Sequence, residues 1–178
     1  QGNTTMDANH RSNMSLEDMD RQSLMHGYTS IAQHEKDGPF ILDRGKGITI
    51  TDQNGKDYLD AAAGLWCVNL GWGRREVIDA ITAQLEKLSY YHNFTSISNE
   101  PAIRLADRIL RLAPANMSKV FFGNSGSDAN DTNVKLVWYY NNLRGKPEKK
   151  KIIARRGGYH GSTLAGASLS GLPHMHGA

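Results

Sequence analysis

Apolar positions recur along this chain at two periods, and the switches between them mark out its elements. From Arg75 to about Leu88, Val77, Ile78, Ile81, Leu85 and Leu88 return at steps of three and four, which predicts an amphipathic helix. Glu100-Pro101 opens another, with Pro at a tolerated first-turn position and Ile103, Ala106, Ile109 and Leu110 turned inward. A further helix is expected from about Asp128 to Asn142. Short apolar runs at 120–122 and 151–154 read as strands between helices. Earlier, runs at 40–43, 48–51 and 56–59, separated by Gly45-Lys46-Gly47 and Asp52-Gln53-Asn54-Gly55, read as a small antiparallel meander.

Helix–strand–helix–strand with short joins implies a mixed, mostly parallel sheet covered by helices, an α/β architecture. The expected organisation is a polar N-terminal arm over 1–23, part of a small α+β domain with the antiparallel strands over 24–72, and the start of a larger α/β domain over 73–178. That last pattern is barely under way when Ser170 to Ala178 is reached, so the chain is expected to be a piece of a longer polypeptide.

Composition narrows the class. With 178 residues, 39% of them hydrophobic, one domain with a real core is affordable. The net charge is +3, and much of the basic excess sits at 146–151 and at Arg155-Arg156. Such a run between apolar segments reads as a solvated loop, and no aromatic interleaving or binding motif points to nucleic acid. The single cysteine, Cys67, forms no intrachain disulfide and reads as a small buried hydrophobe; a reducing, cytoplasmic location is expected. No run approaches the roughly 20 apolar residues of a membrane span. His160, His174 and His176 lack a Cys or carboxylate spacing pattern, so no metal is expected.

The chemistry concentrates at Gly123-Asn124-Ser125-Gly126-Ser127-Asp128-Ala129-Asn130, between an apolar run and a helix start. Small residues at a helix N-terminus build an anion cradle from backbone N–H groups, and serine hydroxyls can donate to phosphate oxygens. Gly123 and Gly126 read as positions of positive φ or close backbone approach. An ordinary Ser/Asp helix cap without a ligand is the other reading that local chemistry leaves open. No lysine follows either glycine, which excludes a nucleotide P-loop, and the dinucleotide fingerprint is absent. The hydrolase elbow fails at its last position, where Ser127 stands for glycine. A compact cup without a nucleotide-gripping lysine suits a group carrying one phosphate.

After the next run comes Arg155-Arg156-Gly157-Gly158-Tyr159-His160-Gly161-Ser162-Thr163. In a parallel sheet, loops after successive strands emerge at one end, where ligands bind. Tyr159, hemmed by glycines, can lie over a planar group, with His160 at its polar edge; core packing is the plain alternative. Trp66 sits in a glycine-rich connection, where its ring can face a cavity or fill a core.

Three ordered segments carry a resemblance: Asp60 to Asn69 (DAAAGLWCVN), Asn124 to Asp131 (NSGSDAND) and Gly158 to Thr163 (GYHGST). From about His26 to Leu172 the chain resembles the N-terminal part of the class III (omega) aminotransferases, pyridoxal-phosphate enzymes of fold type I, the aspartate aminotransferase fold. It looks most like the amine– and β-alanine–pyruvate transaminases. The resemblance implies pyridoxal 5'-phosphate as cofactor, its phosphate held by Ser125, Gly126 and Ser127, with Tyr159 stacked on the ring and His160 near the same face. It implies Tyr28 and Trp66 in the substrate pocket, and Phe94 reaching the site of a partner subunit. The substrates would be a primary amine or ω-amino acid and a pyruvate-like oxo acid. The assembly would be a homodimer or tetramer with active sites at the subunit boundary, the segment 89–94 buried against a partner.

None of Lys119, Lys135 and Lys146 matches the family's catalytic lysine. It is expected beyond residue 178, together with the Asp that holds the pyridine nitrogen, and the segment alone is expected to be inactive. An aminomutase or decarboxylase of the same fold, or a non-catalytic protein that keeps the cup, are the rival expectations.

Overall fold

The computed structural model describes residues 14–177, so much of the polar arm lies outside the described residues. The chain divides between Tyr91 and His92 into two compact units. The first opens with two short helices, α1 (Leu16–Ser23) and α2 (Ile31–Asp37). The Ser15 hydroxyl accepts from the Asp18 N–H at 3.1 Å, satisfying a donor that every helix start leaves without an intrahelical acceptor.

Three antiparallel strands follow in the order β1 (Leu42–Lys46), β2 (Thr49–Asp52), β3 (Asp57–Leu59). Lys46 pairs with Thr49, and Thr49 in turn with Leu59. The first strand therefore lies later than the expected 40–43, and Gly45-Lys46 belongs to it rather than to a turn. The reason is packing: a Cβ on Gly45 would meet the Trp72 ring at 2.7 Å, so this glycine admits an indole against the strand. At the next turn the Asp52 carboxylate accepts the N–H groups of Asn54 and Lys56, both at 2.9 Å, and the Tyr58 hydroxyl at 2.9 Å. These bonds, that from Lys56 foremost, hold the Asp52 pKa below its ordinary value. A tight turn, α3 (Ala63–Trp66), and the expected amphipathic helix, α4 (Arg75–Lys87), complete this unit.

The second unit contains α5 (Glu100–Leu112), α6 (Gly126–Leu143), α7 (Leu164–Leu169) and a 3-10 turn over Pro173–His176. Asn99 caps α5 by accepting from the Ala102 N–H at 3.1 Å. The runs 120–122 and 151–154 are not strands: no described segment lies beside either as a ladder partner. Apolar runs signal burial between neighbours, and the neighbours decide whether a ladder forms. Among the described residues the parallel relation appears as the isolated bridge Arg156–Gly171.

The expected apolar core is not formed either. Among the described residues no apolar side chain is buried, and Ile81, Ile103 and Val137 are 55%, 58% and 53% exposed on α4, α5 and α6. The amphipathic faces of α4 and α5 stay open, and α7 packs against α6 without burying Val137. Cys67, expected inside, is exposed as well. No described helix is long and apolar enough to cross a membrane.

Candidate functional site

The Gly123–Asn130 turn starts the longest described helix, the 18-residue α6. Ser125 is its N-cap, in an extended conformation (φ −162°, ψ 167°), and its hydroxyl accepts the Asp128 N–H at 3.1 Å. Asp128 reaches back to accept the Asn124 N–H at 3.0 Å. The two side chains cap the helix start reciprocally, in the manner of a capping box. Of the two readings for Gly123 and Gly126, positive φ holds for neither glycine, and close approach holds for Gly123 alone. Gly123 makes room, since a Cβ there would meet the Asp128 carboxylate at 2.8 Å. Gly126 faces open space.

Ser127 links this helix start to the Tyr159–Thr163 loop. Its hydroxyl accepts the Ser162 N–H at 3.0 Å, and a Cβ on Gly161, which sits at φ +123°, would meet that same oxygen at 2.5 Å. One turn on, the Asn130 amide donates to the His160 carbonyl at 2.7 Å. Asp131 accepts from the Thr163 hydroxyl at 2.7 Å and the Gly166 N–H at 3.2 Å. From the other side, the fully buried Ser170 accepts the His160 N–H at 2.8 Å and donates to the Gly166 carbonyl at 2.9 Å. The two motifs are thus joined by side-chain hydrogen bonds, with no parallel ladder between them.

Asn130, Asp131 and Ser170 went unassigned in the sequence. Ser127, Asn130 and Asp131 stand at i, i+3 and i+4, one helix face, and polar residues at that spacing were the available signal. Among the described residues, His160 Nε2 is a buried nitrogen without a hydrogen-bond partner. Burying such a group unpaired costs roughly 1–3 kcal/mol. Its ring borders a cavity of about 520 Å³ that Val134, Val137, Ile152 and Leu169 also line. Tyr159 is 57% exposed.

The three expected substrate-facing aromatics share a different property. Tyr28 has φ 59° and Trp66 φ 65°, while Phe94 is followed by Thr95 at 52° and Ser96 at 67°. With Ala63 and Leu65 these are the described non-glycine residues at positive φ. Strain of this kind gathers at functional positions when the surroundings enforce it. Around Trp66 the enforcing group is Asp60, which accepts both the Gly64 N–H at 2.9 Å and the Trp72 indole N–H at 2.8 Å. Sequence reading quoted Asp60 in a motif but gave it no role. Tyr28 and Trp66 belong to the first unit, and the remaining site residues to the second.

The family model for class-III aminotransferases matches residues 30–177. The diaminobutyrate–2-oxoglutarate transaminase of Halomonas elongata is 49% identical over 163 residues, 90% of this chain and 35% of that protein. The vanillin aminotransferase of Capsicum frutescens is 52% identical over 139 residues, 78% of this chain and 30% of that one. An omega transaminase from Pseudomonas jessenii, solved in complex with PMP, superposes with a TM-score of 0.89 at 49% identity, covering 93% of this chain and 36% of that one. The chain therefore spans about a third of the length of these relatives. With a match over most of its length and a shared fold at this identity, the chain belongs to the class-III aminotransferases.

Proposed function

We propose that this chain supplies the phosphate cup and the ring-facing loop of a pyridoxal-phosphate-dependent aminotransferase. The whole protein moves an amino group from a primary amine or ω-amino acid to pyruvate or a similar oxo acid. The state of the Ser125 and Ser127 hydroxyls carries the reading. Each oxygen accepts a backbone N–H, from Asp128 and from Ser162, so each hydroxyl proton remains to be donated to an anion. The first N–H groups of α6 and its dipole favour the same negative charge.

The residues present fit this cofactor. A single phosphate needs a few donors and no lysine, which matches the cup, and the orphaned His160 Nε2 offers a further polar contact in the adjoining loop. When bound, pyridoxal phosphate supplies the electron sink for amino-group transfer. Ser125 and Ser127 hold the phosphate, a contribution mainly to affinity, because it is the same before and during reaction. Tyr159 and His160 fix the orientation of the ring, which contributes to rate. Tyr28 and Trp66 line the substrate pocket, and Phe94 reaches the site of a partner subunit.

Lys119, Lys135 and Lys146 are exposed, and the family resemblance assigns the catalytic position to none of them; on this reading the 178 residues alone do not transaminate. The working assembly is a cytoplasmic homodimer or larger oligomer. The two curated relatives differ in the substrates their names carry, a diamino acid in one and an aromatic aldehyde in the other, so the donor is to be found by assay. In the intact protein, a visible absorption band of bound cofactor is expected to vanish on adding a primary amine and return with pyruvate. No band, or a band indifferent to amine, overturns the proposal; amine migration or carbon dioxide release identifies an aminomutase or decarboxylase instead.

A further inference from the structure

Asp20, His26 and His34 come together in the first unit, and the aminotransferase reading uses none of them. Asp20 stands on α1, His34 on α2 and His26 in the loop between. His26 Nε2 lies 3.0 and 3.1 Å from the two oxygens of Asp20, and His34 Nε2 lies 2.9 Å from the first of them. One ligand atom from each residue lies within 4.8 Å of the other two. The rings are 4.6 Å apart and tilted by 48°. The Asp20 and His34 side chains are 14% and 12% exposed, His26 34%. Beside them is a cavity of about 240 Å³, bordered among others by Thr29, Ile31 and Glu35.

We propose that Asp20, His26 and His34 form a binding site for a divalent transition-metal cation of the zinc type. Two imidazole nitrogens and one carboxylate oxygen are a borderline-soft donor set, which selects zinc-like ions over magnesium or calcium. Zinc holds such ligands at about 2.0–2.2 Å in a tetrahedron, which puts ligand atoms roughly 3.3 Å apart. The present nitrogen–oxygen separations of 2.9 and 3.0 Å fall just short of that, so a small outward movement of the carboxylate admits the ion. Both imidazoles then carry their proton on Nδ1 and turn the Nε2 lone pair inward. A water in the adjoining cavity completes the tetrahedron. The Asp20 carboxylate offsets part of the cation's charge, and Glu35 adds negative charge at the cavity wall. The opposing charge of Arg21 is engaged by Asp18 at 3.5 Å.

The sequence reading expected no metal because it weighed His160, His174 and His176. The spacing Asp-x5-His-x7-His is not compact, and only the packing of α2 against the loop and α1 closes it. The ion would clamp the loop that carries Tyr28.

The test is calorimetric titration of the chelator-treated intact protein with zinc chloride. One equivalent is expected to bind. His26→Gln and His34→Gln are each expected to weaken it by at least the roughly 10- to 100-fold that loss of an outer partner costs a metal site. His174→Gln leaves binding unchanged. Cobalt in place of zinc is expected to give the visible spectrum of a four-coordinate site, absent in the same two variants. Absence of binding, or binding that survives both substitutions or falls with His174→Gln, overturns the proposal. Should the variants unfold, the unsubstituted intact protein decides by NMR. Zinc must shift the ring signals of His26 and His34, and shifts confined to other histidines refute the site.

Discussion

The turn that begins at Ser125 and the turn that ends at Trp66 both lie in segments that carry the family resemblance, yet they are built in opposite ways. The first contains no residue at positive φ; its extended cap and two reciprocal side-chain bonds satisfy the helix start locally. The second runs through four successive residues at positive φ, Ala63, Gly64, Leu65 and Trp66. For its three non-glycine members, left-handed backbone costs about 1–2 kcal/mol each. Two hydrogen bonds to the Asp60 carboxylate, at about 1.5–3 kcal/mol each, are of the same size and offset it. An anion cup can be made from relaxed backbone because the N–H groups of a helix start already point outward. Holding an aromatic ring at a chosen angle takes strain, and strain needs an anchor.

The largest effect expected from this contrast follows removal of the anchor. Asp60→Ala is predicted to destabilise the first unit by about 3 kcal/mol, the low end for two bonds to a half-buried carboxylate. Chemical denaturation checks this; a loss below about 1 kcal/mol would mean that the turn is held by something else. Relieving the strain works the other way. Leu65 is 68% exposed and has little packing to lose. Leu65→Gly should therefore stabilise by about 0.5–1 kcal/mol after the entropy cost of glycine is subtracted. On the relaxed side, Ser125→Ala removes one cap and should cost about 1 kcal/mol of helix stability. The same glycine substitution made at Ser125 should cost only a few tenths, since that position is not strained but capped.

The smallest effect is a pH dependence in the meander. The Asp52 pKa is depressed on folding, so its stabilisation is present above the ordinary value of 3.8 and is lost as pH falls through the lower folded value. Asp52→Asn is expected to flatten that acid limb of the denaturation profile; an unchanged limb would place the titration elsewhere.

How far the sequence could be read follows from the same contrast. Helices at Arg75–Lys87 and Glu100–Leu112 were legible because their apolar residues recur at helical steps whatever covers them. The helix cap at this turn was legible because Ser125 and Asp128 act on neighbours three or four residues away. Illegible were features set by distant residues. Gly45 belongs to a strand because of Trp72, and His160 is fixed by Asn130 and Ser170. The runs 120–122 and 151–154 have strand composition, but no described segment pairs with them. The left-handed turn before Trp66 was hidden for another reason: nothing in Ala-Gly-Leu-Trp prefers positive φ except its glycine.

The central claim is that Ser125 and Ser127 grip a phosphate, and comparison of pyridoxal phosphate with pyridoxal tests it. Both ligands share the ring and only one has the phosphate. Dissociation constants for each are measured on the intact protein and on Ser127→Ala. The cup predicts that the substitution weakens pyridoxal phosphate by roughly 1.5–3 kcal/mol, the size of a charge-assisted hydrogen bond, and pyridoxal hardly at all. Equal losses for both ligands, or none for either, would contradict it and leave the turn a helix cap.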